Sequence, residues 1–332
     1  MHRFCKRLVC VLLVGFLCVG GFALAEQNST PQQISITAEE LRQIKDYSNP
    51  IYFEDANEKI QFDYKQGKWS YASPHLQVDI ERFEDTKYTL IWYIADVRFD
   101  DSLKLEHFFA DQENPGKSFK YAENIARDNH CVFAINDDQV GYRLYNHKTV
   151  GHVVINGKIF GDKSYKKPVK ILPNLDCMAI ADDGTMSVYG FNEHTAQEYV
   201  DMGFKNVSSF GPYVIRDSQI NPYLDNHYTL QEARTVIGMI DKNHYVIFSC
   251  EGRRKGKSLG ASLKWVGEHL LEKGVTQAFN LDGGGTTSLL FMGMKINYFN
   301  PKGEVRKDRS LTGIFGIGKS DLLPAWEGLT KK

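Results

Sequence analysis

The chain has almost no net charge: 40 Lys and Arg stand against 41 Asp and Glu in 332 residues, a formal charge of -1 at pH 7. Non-specific nucleic-acid binding rests on cations that neutralise phosphates, so that partner class is excluded. Apolar residues at 42% and charged residues at 24% are ordinary for a globular chain and exclude a disordered, collagen-like or multi-span membrane protein. No internal repeat is present. The Gly-x-Ser-x-Gly elbow and the His-Glu-x-x-His zinc helix are also missing. Histidines are scattered, and His152 and His227 read as surface or packing residues rather than ligands. One near-match, Gly252-Arg-Arg-Lys-Gly-Lys-Ser258, has three residues between its glycines where a phosphate-cradling P-loop needs four. Glu251 stands where the first glycine belongs, so an ATPase is excluded.

The chain is also poorer in cysteine than its count of six suggests. Arg3, Lys6 and Arg7 precede an apolar run from Leu8 to Phe22, and Ala23-Leu24-Ala25 supplies a small-x-small cleavage site. This is the pattern of a secretory signal peptide cleaved after Ala25. The alternative is an uncleaved N-terminal anchor, for which an apolar stretch of about 17 residues is short. Cleavage removes Cys5, Cys10 and Cys18 and leaves Cys131, Cys177 and Cys250, each in an apolar context that suits a buried thiol. It also leaves 37 basic residues against 41 acidic ones, a charge near -4 on a secreted or envelope-associated protein without an integral membrane domain.

In the mature chain, residues 26–78 read as a polar tether followed by a small subdomain or extension, 79–320 as the main domain, and 321–332 as a tail. Strand signals are dense from Val78 onward, notably Tyr88 to Phe99 and Cys131 to Ile135. Asn156-Gly157 predicts a type I′ hairpin, and Asp183-Gly184 and Gly293 mark two more. Thr37 to Asp46 reads as a short helix, and Ser118 as the cap of another that carries Ile125 and Ala126. Thr195-Ala-Gln-Glu198 is a capping box, and a helix from about Ala261 to Lys273 stops at Gly274. Further strands fall at about 207–216, 234–240, 244–250 and 277–281. Strands outnumber helices without strict alternation, which predicts a mixed α/β (α+β) fold: one main domain, with a strand-rich central sheet and packed helices.

The strongest local feature is Asn280-Leu-Asp-Gly-Gly-Gly-Thr-Thr-Ser288, a strand running into an acid, three glycines and three hydroxyls. Gly283, Gly284 and Gly285 allow close approach to the main chain and an anion-binding concavity of amides, with Thr286 and Thr287 adding donors and Asp282 a carboxylate. An Asp-Gly turn without a ligand explains the same residues. Asn136-Asp-Asp138, Arg234 and Glu251-Gly-Arg253 also lie at strand ends. Singly each suits a surface ion pair. Together they supply the two carboxyl groups that acetal cleavage needs and the planar donors that suit a phosphate.

At these residues the sequence resembles the phosphodiester glycosidase family. Ala278-Phe-Asn-Leu-Asp-Gly-Gly-Gly-Thr-Thr-Ser288 is similar to its Ala-x-Asn-Leu-Asp-Gly-Gly-Gly signature. Phe133-Ala-Ile-Asn136, Gly151 to Gly157, Ser209-Phe-Gly-Pro212, Arg234-Thr-x-x-Gly238, Glu251-Gly-Arg253 and Ser258-Leu-Gly260 follow the family's order. Three positions depart from its pattern. Asp137 replaces a glycine, Glu251 replaces an aspartate, and the late Arg-x-x-Ser-Asp element reads Arg309-Ser-Leu-Thr-Gly313, without its aspartate.

The resemblance implies hydrolysis of a glycosyl-1-phosphodiester, with a sugar of the N-acetylglucosamine type, in envelope or extracellular glycans. It places Asp282 and Glu251 as the acid/base and nucleophile-or-base pair, Asp138 as an alternate carboxylate, Asn136 on the sugar, and Arg234, Arg253 and the glycine loop on the phosphate. No cofactor is required, although Asp282 and Asp138 are oxygen donors that suit a hard divalent cation. Two alternatives share these residues: a non-catalytic glycopolymer-binding protein and a phosphodiesterase cutting the P–O bond.

Overall fold

The computed structural model describes residues 34–137, 151–163, 175–224, 230–298 and 309–324, all within one compact unit, Gln33–Lys332. Their strands form three sheets. The largest runs through Ile51–Glu54, Lys59–Asp63, Lys68–Ala72, Leu76–Asp85, Leu90–Phe99, His244–Cys250, Arg234–Asp241, Gln277–Leu281 and Tyr213–Arg216, neighbours in that order and all antiparallel. A second sheet orders Lys158–Lys163, Gly151–Ile155, Phe204–Phe210, Asp176–Ala181 and Met186–Tyr189. The third orders Met294–Lys295, Leu289–Phe291, Cys131–Asn136, Gly313–Lys319 and Glu106–Phe109. The expected strand-rich α+β architecture is thus the observed one.

Alternation along the strands explains how the sheets pack. In Leu76–Asp85 the first six positions alternate buried and exposed, so Leu76, Val78 and Ile80 face inward. They join Phe62, Trp69, Tyr93, Ile237 and Phe279 in a core shared with Phe133, Phe291 and Phe315 of the third sheet and with Met178 and Ile180 of the second. Phe62 and Phe291 meet edge to face across the layers, with ring centroids 5.2 Å apart. The other face of the large sheet is covered by the helix Leu263–Glu272, whose Leu263, Val266 and Leu270 pack on Val236, Val246 and Phe248. Helices Ala122–Asp128 and Ala196–Asp201 cover the third and second sheets in the same way.

Several expectations meet the structure with changes. The expected capping box of Thr195 with Glu198 forms, and Thr37 makes a second one with Glu40 at the start of the short helix Ala38–Gln43. The helix assigned to Ser118 instead starts after Tyr121, whose side chain makes no cap bond. Asn156 and Gly157 both adopt positive φ, as a type I′ turn requires. The stretch at 207–216 is two strands rather than one: Phe204–Phe210 belongs to the second sheet and Tyr213–Arg216 to the large one. Chain direction must change sheets there, and Gly211-Pro212 interrupts the ladder because proline has no amide to give it. The expected boundary at 78 falls inside the strand Leu76–Asp85, and the large sheet continues unbroken on both sides of it. Cys131, Cys177 and Cys250 are free and buried, and burial pushes their thiols up to about 12, 11 and 12.

Candidate active site at the strand ends

The antiparallel register brings one set of strand ends together. Arg234 pairs with Cys250 and Thr235 with Leu281, so the start of Arg234–Asp241 and the ends of His244–Cys250 and Gln277–Leu281 share an edge. Asn136 ties the third sheet to this edge. It is fully buried. Its Nδ2 donates to the Asp282 carbonyl at 2.8 Å and to the Asp137 carbonyl at 3.0 Å. Its Oδ1 accepts from the Thr235 hydroxyl at 2.7 Å and from the Ser288 amide at 3.0 Å. With its amide spent on these bonds, Asn136 pins the 282–288 loop from below.

The glycine loop lies flat on the neighbouring backbone. A Cβ on Gly283 would stand 2.4 Å from the Ala233 carbonyl oxygen, so this approach admits only glycine. The Gly283 amide donates to the Asp282 carboxylate at 2.8 Å and the Gly284 amide to the Ala233 carbonyl at 3.1 Å. Two amides of the expected anion cradle are therefore bonded within the protein. The Thr286 hydroxyl donates to the Gly283 carbonyl at 2.5 Å, whereas the Thr287 hydroxyl is buried with no hydrogen-bond partner among the described residues. The Asp282 side chain is 15% exposed, and its second oxygen lies 3.7 Å from Arg309 Nη1. Arg253, in the left-handed region at φ 58°, sets its guanidinium over Gly284, donates from Nε to Glu232 at 2.5 Å and leaves its side chain 60% exposed. Glu232 holds the Arg253 charge firmly, which raises its pKa.

Glu251 stands differently. It is buried, and its Oε1 accepts from the Tyr93 hydroxyl at 3.1 Å and from the Tyr298 amide at 2.8 Å. Its Oε2 is ion-paired with Arg254. Burial first, then the Glu251 charge, push the Tyr93 phenol far above its usual range. Arg234 donates from Nη2 to the Leu230 carbonyl at 3.1 Å and from Nε towards that of Ala261 at 3.4 Å. Asp138 lies outside the described residues. The structure thus gathers Asp282, Arg253 and Arg309 around Gly283, Gly284 and Gly285. Asn136 lies beneath the loop and Glu251 in a separate buried network. Arg309 is missing from the sequence-derived site, although it opens the late Arg-x-x-Ser-Asp-like element.

A profile of phosphodiester glycosidases matches residues 129–317, more than half of the chain and all of these strand ends. The chain belongs to the phosphodiester glycosidase family. It is 28% identical over 179 residues, 52% of its length, to the SPbeta prophage-derived uncharacterized protein YomE of Bacillus subtilis (strain 168). That match covers 26% of YomE, so this chain spans about a quarter of that curated relative. Among solved structures, it superposes on the catalytic domain of zebrafish N-acetylglucosamine-1-phosphodiester α-N-acetylglucosaminidase, auto-inhibited by its pro-peptide, with TM-score 0.57 and 18% identity. That superposition covers 80% of this chain and 89% of the zebrafish domain. A hypothetical protein from Synechocystis gives TM-score 0.53 at 11% identity, over 81% of this chain and 67% of that one. At these identities the two likenesses establish the fold.

Two cavities open elsewhere on the molecule, of about 570 Å³ beside Asp79, Asp96 and His244 and about 800 Å³ beside His107, Lys205 and Lys319. Neither is lined by Asp282, Glu251 or the three arginines Arg234, Arg253 and Arg309. Among the described residues no group of three or more His, Cys, Asp or Glu is placed to hold a metal, and no helix is long and apolar enough to cross a membrane. Pairing Asp282 with Asp138 on a divalent cation reaches outside those residues.

One further carboxylate stands out electrostatically. Asp176 is buried behind Gly211, whose carbonyl accepts from Asn280 Nδ2 at 2.8 Å. Burial pushes its carboxyl up to about 6 although the Tyr213 and Phe191 amides, at 3.0 and 2.9 Å, favour the charged form. The native state therefore holds this proton more tightly than the unfolded chain, whose ordinary value is 3.8. Its contribution to stability is full below 3.8 and is lost as pH rises towards 6. A ¹³C NMR titration of the Asp176 carboxyl carbon is expected to show a midpoint near 6; one near 3.8 removes the pH effect.

Proposed function

We propose that the protein is an exported hydrolase that cleaves a glycosyl-1-phosphodiester in envelope or extracellular glycans, releasing a free sugar and a phosphomonoester. One arrangement carries the reading: a carboxylate, Asp282, with one oxygen fixed by the Gly283 amide and the other turned to Arg309, next to the exposed Arg253. Family membership supports a sugar phosphodiester as substrate. The zebrafish structural neighbour, by its name, acts on an N-acetylglucosamine-1-phosphodiester, which supports that sugar type. The basic and apolar start of the chain, ending at Ala25, supports export.

In this mechanism water attacks the anomeric carbon and Asp282 accepts its proton. The C1–O bond breaks and its electron pair leaves on the phosphate oxygen. Arg253 and Arg309 neutralise the phosphomonoester as it departs, so the leaving group depends less on a general acid. Asp138 remains the alternate carboxylate for that part. Glu251, with its charge spent on Arg254, Tyr93 and Tyr298, orders the loop that presents Arg253. Asn136 acts likewise beneath Asp282, and Arg234 braces the rim through the Leu230 carbonyl.

Incubation with a chromogenic aryl phosphodiester of N-acetylglucosamine-1-phosphate tests the reading by its products. Free sugar with an aryl phosphate is expected. Sugar phosphate as the product would mean P–O cleavage instead. Saturable binding without release would mean a glycopolymer-binding module.

A further inference from the structure

We propose that the trough of about 570 Å³ on the outer face of the large sheet is a second binding site, for a neutral saccharide chain. The antiparallel register builds its floor. Gln61 pairs with Ser70, Ser70 with Asp79 and Asp79 with Asp96, so four polar side chains cross four neighbouring strands in one row. At a strand spacing of about 4.8 Å the row spans about 14 Å. The alternate residues Trp69, Tyr71, Val78 and Val97 point into the core, which turns this row outward. Side-chain length makes the trough. Serine and aspartate are short, whereas the rows on either side carry Lys68 paired with Glu81 and Gln77 paired with Arg98.

Asp79 and Asp96 place like charges directly opposite one another, an arrangement that costs a sheet stability. Neighbours hold both carboxylates in position. Arg98 Nη2 donates to Asp96 Oδ2 at 3.2 Å, and His244 Nε2 lies 3.1 Å from both Asp96 oxygens. Gln77 Nε2 donates to Asp79 Oδ2 at 2.7 Å. Asp79 Oδ1, the Ser70 hydroxyl and the Gln61 amide have no side-chain hydrogen bond among the described residues and line the same trough.

Charge selects the ligand. Three carboxylates, Asp79, Glu81 and Asp96, stand with three cations, Lys68, Arg98 and Lys273, so the lining is neutral with His244 set aside. A phosphate-rich polymer would meet carboxylates on the floor, and a basic peptide would meet exposed cations around it. Hydroxyl groups suit both, because each can donate to a carboxylate and accept from an ammonium or guanidinium. Phe83 lines one end, half-buried and stacked on Trp92 with ring centroids 5.2 Å apart, and offers an apolar surface to the C–H face of a sugar. The volume lies within the range of small-ligand pockets. The floor comes from residues 61–96, ahead of the family match at 129–317, and in the same compact unit as Asp282. A glycan held there would bring its phosphodiesters to the strand ends at a raised effective concentration. That consequence rests on the proposed hydrolase activity, and the binding does not.

An array of neutral and phosphorylated oligosaccharides, probed with the full chain, tests the site without turnover. Wild type and Asp282→Asn are expected to bind neutral oligosaccharides alike. Asp79→Ala is expected to bind them at least tenfold more weakly. Its Tm should stay within about 2 °C of wild type, because Asp79 is exposed and the opposed charge is relieved. Ser70→Gln, which fills the floor from a half-buried position, should give the same loss of binding. No neutral oligosaccharide bound, or binding that both trough variants leave unchanged, overturns the site. Preference for phosphorylated oligosaccharides, or calorimetric binding of tetralysine that Asp79→Ala abolishes, overturns the neutral saccharide class. Binding that Asp282→Asn alone removes belongs to the strand-end site and overturns the second one. A wild type that binds neutral oligosaccharides yet turns over no aryl sugar-1-phosphodiester counts against the hydrolase reading alone.

Discussion

Replacing Asp282 with asparagine is expected to lower turnover of a sugar-1-phosphodiester about a thousandfold while leaving the protein folded. Asparagine has the same shape, and its amide oxygen can still accept the Gly283 amide at 2.8 Å. The backbone carbonyl of residue 282 keeps its bond to Asn136. What disappears is the group that takes the proton from water. The loss of the Arg309 contact matters little to stability, because that pair is 3.7 Å apart with the Arg309 side chain 38% exposed. Such surface pairs contribute about 0–1 kcal/mol, so Tm should fall by no more than about 4 °C. Steady-state kinetics beside a melting curve checks both halves. Near-normal turnover in the variant removes Asp282 from the chemistry.

Glu251→Ala should show the opposite pattern, a loss of stability first. The side chain accepts from Tyr93 and Tyr298 and is ion-paired with Arg254, all within a buried network. Truncation takes away the acceptor of the Tyr93 hydroxyl, in a fully buried side chain, and leaves the Arg254 guanidinium without its carboxylate. Removing one partner of a buried pair costs about 3–5 kcal/mol, and the partial exposure of Arg254 places this case at the low end. For a chain of this size that corresponds to a Tm drop of about 8 °C. Activity would fall with it, through disorder of the 251–260 loop. If Glu251→Ala melts like the wild type yet loses all turnover, Glu251 belongs in the chemistry and the structural assignment is wrong.

Local features survived the comparison between sequence and structure best. Asn156-Gly157, Thr195 with Glu198 and Gly274 each act through backbone groups within four residues, so their chemistry is visible in a short window. Strand ends that carry Asp282, Arg253 and Asn136 were legible because apolar runs stop abruptly at polar residues. Partners were not. Glu251 and Tyr93 are 158 residues apart in sequence, and no local pattern announces that a carboxylate at a strand end turns inward to a buried phenol. The sheet change after Phe210 was missed for a related reason: periodicity marks a strand and does not say which sheet receives it.

By itself the sequence determined a strand-rich fold, three thiols held inside apolar runs, and a glycine loop behind a carboxylate at a strand end. These follow from side-chain period, turn chemistry and composition, all of which act over short stretches of chain. Tertiary structure alone decided which partners the polar groups have. It spent Glu251 on Arg254, Asn136 on four bonds, and the Gly283 and Gly284 amides on internal acceptors, while leaving Asp282 beside Arg309 and Arg253 exposed. It also set Gly313 where a Cβ would stand 2.8 Å from both the Asp137 carboxylate and the Phe108 carbonyl oxygen. Close packing and hydrogen-bond satisfaction are contests for space and partners among residues distant in the chain, and only the folded arrangement settles them.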